Sequence, residues 1–220
     1  MRLQDGSLAV TGGRDLAPLI DKLVSLPGFA IKVATQDWHP RSHVSFASNH
    51  PPPGNKPFEH HVDVKNWVAG KEHETTKQRL WPVHCVQGTS GAAIIDEIDA
   101  NKFDLRVRKG MDERVEMYSV FADSFGNMVA GSGGVSHDLA KILSDRGISH
   151  VYVVGLAGDY CVRATALDAA RAGFVSFVIE EGTKCVSKAD WDDVKRDLEE
   201  HHVKIISING EEVGRVQTLA

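Results

Sequence analysis

The sequence predicts an α/β fold, a three-layer arrangement in which a doubly wound, mainly parallel sheet carries helices on both faces. Three observations carry that expectation. Short apolar runs alternate with segments of helical periodicity along most of the chain. The clearest run, HVYVVG at 150–155, leads into a glycine-bearing turn and then a helical pattern. Neither a repeat nor an interdomain linker interrupts the alternation, so residues 1–220 are expected to form one domain.

The elements follow in order. Leu16, Leu19, Ile20, Leu23 and Val24 make one apolar face of a helix over 14–26, stopped by Pro27-Gly28. AIKVAT at 30–35 reads as a short buried strand. The polar stretch 37–80 reads as a surface insertion or an active-site loop. A helix is expected over 90–98, a strand over 104–108 and irregular chain over 110–133. Val135, Leu139, Ile142 and Leu143 mark a helix closed by Gly147. After the 150–155 strand come a helix from Tyr160 to Arg171, a strand over 174–180, a helix over 188–201 and a strand over 203–208. The first helix has no strand before it, which is unusual for a doubly wound sheet.

Composition narrows the function. Basic residues number 25 and acidic residues 30, a net charge of −5, which argues against a general electrostatic grip on nucleic acid. No apolar run reaches the ~20 residues that span a bilayer, and MRLQDGSLAV does not read as a signal peptide. Cys85, Cys161 and Cys185 are too few and too scattered for a disulfide framework. A special cysteine is then a candidate nucleophile or ligand.

Three constellations carry chemistry. Gly155-Leu156-Ala157-Gly158-Asp159-Tyr160-Cys161 lies where ligands bind in parallel α/β sheets, beyond the carboxyl end of a strand. A cysteine at the first turn of the following helix gains thiolate character from the helix dipole. Asp159 is placed to cap that helix, and nearby N–H groups to receive an oxyanion; a small buried packing residue is the competing reading of Cys161. Asp37-Trp38-His39 puts a carboxylate and an imidazole on one face of a strand end, a start toward a Zn, Fe or Mn site. A third ligand must come from elsewhere, and spacing does not choose among His43, His50, His60, His61, His73 and His84. Lys109 ends a strand and can hold a thiolate or carboxylate by its charge. Cys85, beside His84, reads as buried packing, and Cys185 receives no role.

Taken together, GSLAVTGG (6–13), DWHPRSHVSF (37–46), WPVHCVQGTSGA (81–92), RKGMDERVEMYSVF (108–121), GLAGDYCVRATALDA (155–169) and EEGTKCV (180–186) resemble nicotinamidases of the isochorismatase-like cysteine hydrolase superfamily, fungal members above all. The resemblance implies an isochorismatase-like fold, with Cys161 as nucleophile and Lys109 as the triad lysine. It implies Asp37, His39 and His84 as ligands of a divalent metal, Zn before Fe or Mn, with His43 a ligand in some members only. The N–H groups of Ala157 and Cys161 match the oxyanion hole, Leu156-Ala157 the family's cis peptide, and Trp81 and Tyr118 the aromatic walls for a pyridine ring. Gly158 stands where Thr or Ala is common. The implied reaction is hydrolysis of nicotinamide to nicotinate and ammonia through a cysteine thioester, in NAD salvage.

The resemblance also implies a third triad member, an aspartate closing a first central strand ahead of GSLAVTGG. The sequence as given holds no such strand, and Asp5 comes too late in the motif. The expected sheet therefore lacks that strand and shows five others. Two alternatives follow: a non-catalytic metal-binding relative, or a cysteine amidase acting on another small amide. No targeting signal is read, so a cytoplasmic location, with the nucleus also open, is expected. The expected partner is the small-molecule substrate, without nucleic acid or membrane, and a homo-oligomer stays open.

Overall fold

The structure, a computed structural model, describes residues 6–128 and 134–219. The elements are α1 (Ala17–Val24), β1 (Val33–Asp37), β2 (His61–Lys65), β3 (Thr75–Arg79), β4 (Leu105–Lys109), α2 (Leu139–Asp145) and β5 (His150–Leu156). They continue with α3 (Arg163–Arg171), β6 (Val175–Lys184), α4 (Trp191–Glu200), β7 (Lys204–Ile206) and α5 (Glu211–Thr218). The chain divides into two compact units. One holds Met1–Ala9, Thr35–Ala93 and Val107–Asp138; the other holds Val10–Ala34, Ile94–Arg106 and Leu139–Ala220.

Alternation along β6 builds the core of the second unit. Successive strand residues point to opposite faces. Phe177 and Ile179 therefore join Leu23 of α1, Ile206 of β7 and Val213 of α5 on one side. Val178 joins Ala166 and Leu167 of α3 and Val194 and Leu198 of α4 on the other. This is the three-layer arrangement expected from the sequence, with each fully buried aliphatic or aromatic side chain worth about 1.5–3 kcal/mol. β6 is the middle strand, parallel to β5 and to β7. Its ladder with β5 changes register between Val153 and Gly155, so Thr183 and Lys184 accompany Gly155 and Leu156. The end of β6 thereby runs beside the turn that carries Cys161.

The remaining strands form a β1–β4 pair and an antiparallel β2–β3 hairpin. The single five-strand sheet read from the sequence thus stands as a pair and a triple among the described residues. Asp5 and part of the irregular 110–133 segment lie outside those residues.

Two helix expectations change. Over 90–98 only Ser90–Ala92 makes a single 3₁₀ turn. Gly91 and the β-branched Ile94-Ile95 pair are poor helix formers, and the segment is too short to recover the cost of nucleation. Val135 is not helical; it bridges to Lys109, and α2 starts at Leu139. The hairpin and α5 were not expected. β3 is polar on both faces, β2 offers only Val62 and Val64 on one face within a long polar stretch, and Gly214 interrupts the α5 pattern.

Candidate active site

In the first unit, strand-like pairing continues past the end of β1. The His39 N–H donates to the Cys85 carbonyl at 3.0 Å, and Gln87 N–H donates to the His39 carbonyl at 2.9 Å. This parallel bridge brings the WPVHC segment alongside DWH. One carboxylate oxygen of Asp37 and one ring nitrogen each of His39 and His84 then lie within 4.8 Å of one another. Cys85 is not the buried packing residue expected. It is half-buried and turns the chain there with a φ of 44°.

Hydrogen bonds fix which nitrogen each imidazole presents. His39 Nδ1 lies 2.8 Å from the Gly110 carbonyl and His84 Nδ1 lies 2.8 Å from the Pro82 carbonyl. A carbonyl only accepts, so Nδ1 carries the proton and Nε2 the lone pair. Metal-binding histidines are commonly oriented in this way. Burial pushes the His84 pKa down, which keeps its ring neutral and able to donate a lone pair. Gly110 is required by space as well as by its φ of +64°: a Cβ there would come within 2.6 Å of His39 Nδ1.

Lys109 and Asp37 form a close ion pair, Nζ to Oδ1 2.6 Å. The ammonium also donates to the Met117 carbonyl at 2.9 Å. Burial alone would raise the Asp37 carboxyl; Lys109 beside it, with His39 and His84, holds it well below the usual carboxylate range. The lysine singled out from its strand-end position thus faces the carboxylate of the proposed ligand set.

A second donor group adjoins the first. His39, His43 and Glu116 each offer an atom within 4.8 Å of the others, and all three are buried. His43 Nδ1 is 2.8 Å from Ser45 Oγ, and its Nε2 has no hydrogen-bond partner among the described residues. Burial, opposed in part by Glu116, pushes His43 down to about 4. Burial would raise Glu116, but His43 and His39 bring it below its ordinary value. Sequence reasoning missed Glu116. The available signal was an acid set between the apolar Val115 and Met117. Phe46, fully buried, packs its ring 5.7, 5.6 and 5.4 Å from those of His39, His43 and His84.

The aromatic residues also meet. Trp81 Nε1 donates to the Tyr118 hydroxyl at 3.0 Å, and Gln78 Nε2 donates to the same oxygen at 3.0 Å. Trp81 is almost fully buried and Tyr118 partly so.

Cys161 belongs to the second unit. The Leu156–Ala157 bond preceding its turn is cis, as the resemblance implies. Gly158–Val162 makes a π-helical turn that runs into α3, and Cys161 is half-buried within it. The Ala157 carbonyl accepts from the N–H groups of Tyr160 at 3.1 Å and Val162 at 3.0 Å. Asp159 does not cap α3. Its two carboxylate oxygens accept instead from Val186 N–H at 2.9 Å and Ser187 N–H at 2.8 Å, just past the end of β6. Those two donors satisfy both oxygens and tether the turn to the strand. Gly158 is explained by space: a Cβ would lie 2.7 Å from Cys185 Sγ and 2.8 Å from Thr183 Cγ2. Burial, helped by the nearby Asp159 charge, pushes the Cys185 thiol up to about 11. It stays protonated at neutral pH.

Residues 43–209, which include His84, Lys109 and Cys161, match the family described as the isochorismatase domain. The chain belongs to the isochorismatase family. It is 40% identical to the nicotinamidase of Acinetobacter baylyi over 82% of this chain and 75% of that one. The structure of the yeast nicotinamidase bound to the inhibitor nicotinaldehyde is similar with a TM-score of 0.83, at 31% identity and covering 92% of each chain. The pyrazinamidase of Pyrococcus horikoshii in complex with zinc gives 0.66 at 30% identity, covering 92% of this chain and 90% of that one. Among the described residues no helix is long and apolar enough to cross a membrane.

Proposed function

We propose that this isochorismatase-family chain is a single-domain amide hydrolase, a nicotinamidase, that converts nicotinamide to nicotinate and ammonia through a thioester on Cys161. The observation that carries the reading is the convergence of one ionised carboxylate, Asp37, and two oriented imidazoles, His39 and His84. An oxygen and two nitrogens of this kind suit Zn²⁺, Fe²⁺ or Mn²⁺, and the buried, unpartnered Nε2 of His43 fits the same use. Zinc is favoured by the P. horikoshii relative. A divalent ion held there would supply positive charge toward the pyridine nitrogen of the substrate.

The chain's own residues take the other roles. Lys109 keeps Asp37 ionised and fixed. Trp81 and Tyr118 wall the flat ring, with Leu156 beside the turn. The Cys161 thiolate forms a bond to the amide carbon, and the N–H groups of Ala157 and Cys161 receive the oxyanion. The C–N bond then breaks, and ammonia leaves with a proton. Water next attacks the thioester carbon and releases nicotinate and the thiol. The resemblance assigns the proton transfers to an aspartate closing a strand ahead of GSLAVTGG, which is not Asp5 and which the sequence as given does not hold. We place the reaction in cytoplasmic NAD salvage.

Ammonia release from nicotinamide, compared with benzamide and an aliphatic amide, tests the substrate. Mass spectrometry should trap an acylated Cys161 in the wild type and none in Cys161→Ala, whose rate should fall at least ~10⁴-fold. Metal binding with no ammonia from any amide would instead favour a non-catalytic relative. Turnover confined to another amide would favour a different cysteine amidase.

A further inference from the structure

We propose that Gln78, carried in by the β2–β3 hairpin, is a specificity-determining positioning residue that acts through the Tyr118 hydroxyl. The inference rests on the nicotinamidase reading and deepens it. The hairpin is a polar, largely exposed element: Thr75 and Lys77 of β3 are exposed, and Lys77 pairs with Asp63 across the ladder at 2.7 Å. Gln78 departs from that pattern and is only 2% exposed. A buried amide is tolerated when its hydrogen bonds are made, so its partners show what it holds. Both protons of Nε2 are used, one on the Arg79 carbonyl at 2.6 Å and one on the Tyr118 hydroxyl at 3.0 Å.

The Tyr118 oxygen offers two lone pairs, and Gln78 and the Trp81 indole fill both. Trp81 has other supports. Phe58 packs edge-on at 5.7 Å, and the Arg79 guanidinium, itself bonded to the Phe58 carbonyl at 2.9 Å, lies 5.4 Å from the indole ring. Tyr118 stands in a segment that is neither helix nor strand. Two donors therefore converge on its hydroxyl and help to set its ring. A flat aromatic amide is selected by walls held at fixed spacing, and small misplacements of such walls weaken productive binding. Removing the Gln78 donor should loosen the Tyr118 wall and leave the attacking groups untouched. The loss should appear in KM and in the preference for a pyridine amide over an aliphatic one.

The experiment compares Gln78→Met, Tyr118→Phe and the double variant in nicotinamide hydrolysis. Gln78→Met should raise KM roughly 3–10-fold, the loss of about one hydrogen bond to Tyr118, and Tyr118→Phe at least as much because it also loses the Trp81 donor, each with kcat within about 3-fold. The double variant should be no worse than Tyr118→Phe alone, because that change already removes the Gln78 link. Lys77→Ala, exposed on the same strand, should match the wild type. Singles whose effects multiply, or an unchanged KM in well-folded Gln78→Met, would overturn the inference. Should Gln78→Met fail to fold, Tyr118→Phe decides: it keeps Gln78 and Trp81 and removes the hydroxyl that accepts from both, so an unchanged KM overturns the proposal. A wild type that releases no ammonia from nicotinamide would overturn the nicotinamidase reading, and this one with it. An active wild type with a silent Gln78 overturns this one alone.

Discussion

The donor cluster around Asp37 and the turn around Cys161 reach rigidity by different means. In the cluster, charge and proton position are the fixed quantities. Lys109 holds Asp37 ionised, and backbone carbonyls hold the His39 and His84 tautomers. In the turn, space and backbone are fixed. The Ala157 carbonyl ties the π-helical turn, Asp159 anchors it past the end of β6, and Cys185 and Thr183 leave no room for a side chain at 158. The cluster should therefore fail under changes of charge and the turn under changes of volume.

The largest effect should come from Lys109→Met. Its ammonium is 4% exposed, so the change removes a buried cation of similar length and leaves Asp37 without its main partner. Breaking one side of such a pair costs about 3–5 kcal/mol. The Asp37 carboxyl is depressed in the folded state, so the pair contributes above the ordinary carboxylate pKa of 3.8 and loses its value as pH falls through the folded one. Urea unfolding at pH 7.5 and at pH 3 should show the variant's deficit shrinking at the lower pH. Cys161→Ala, a thiol-to-methyl change in the turn, should cost under about 1 kcal/mol at both. Equal deficits for the two variants would remove the distinction between the regions.

A smaller effect should follow from pH acting on His43. Its folded pKa is about 4 against an ordinary 6.5, so between those values the unfolded chain binds the proton and the folded one does not. Stability should fall as pH drops from 6.5 toward 4, by up to about 3 kcal/mol. With a chelator present, His43→Gln should flatten that slope of the unfolding free energy. A slope unchanged by the substitution would show that other groups carry it.

These contrasts also explain what was legible in the sequence. Asp37 and His39 stand two apart at a strand end, and Cys161 follows a strand, so short-range spacing exposed both. The choice of His84 among several downstream histidines came from the resemblance, because the bridge from His39 to Val86 that brings it near is a long-range backbone contact. Glu116 and Gln78 were hidden for the same reason: each looks like a surface residue until the fold buries it. In the β2–β3 hairpin β3 is polar throughout and the alternation of Val62 and Val64 in β2 is short and set in a polar stretch, and a hydrophobic pattern is what strand reading depends on. The helices packed on β6 carry one apolar face each and were read almost to their ends, α5 with its internal glycine excepted.

Gly158 gives the smallest and most selective test. The resemblance places Thr or Ala commonly at this position, and the structure shows why this chain has neither. A Cβ would meet Cys185 Sγ at 2.7 Å, Thr183 Cγ2 at 2.8 Å and the Trp191 ring at 3.2 Å. Overpacking of this kind costs about 1–3 kcal/mol. Gly158→Ala should lose that much in urea unfolding, by the same amount at pH 5 and pH 7.5 because no charge changes. It should also slow iodoacetamide alkylation of Cys161, since the turn must shift to admit the methyl group. Cys185→Ala removes the nearest obstructing atom, so Gly158→Ala/Cys185→Ala should recover part of both losses, with Thr183 accounting for the remainder. Stability restored without the alkylation rate would mean that the space at 158 governs packing but not the reactivity of Cys161. No loss in Gly158→Ala would mean that the turn yields freely, and that volume is not what holds it.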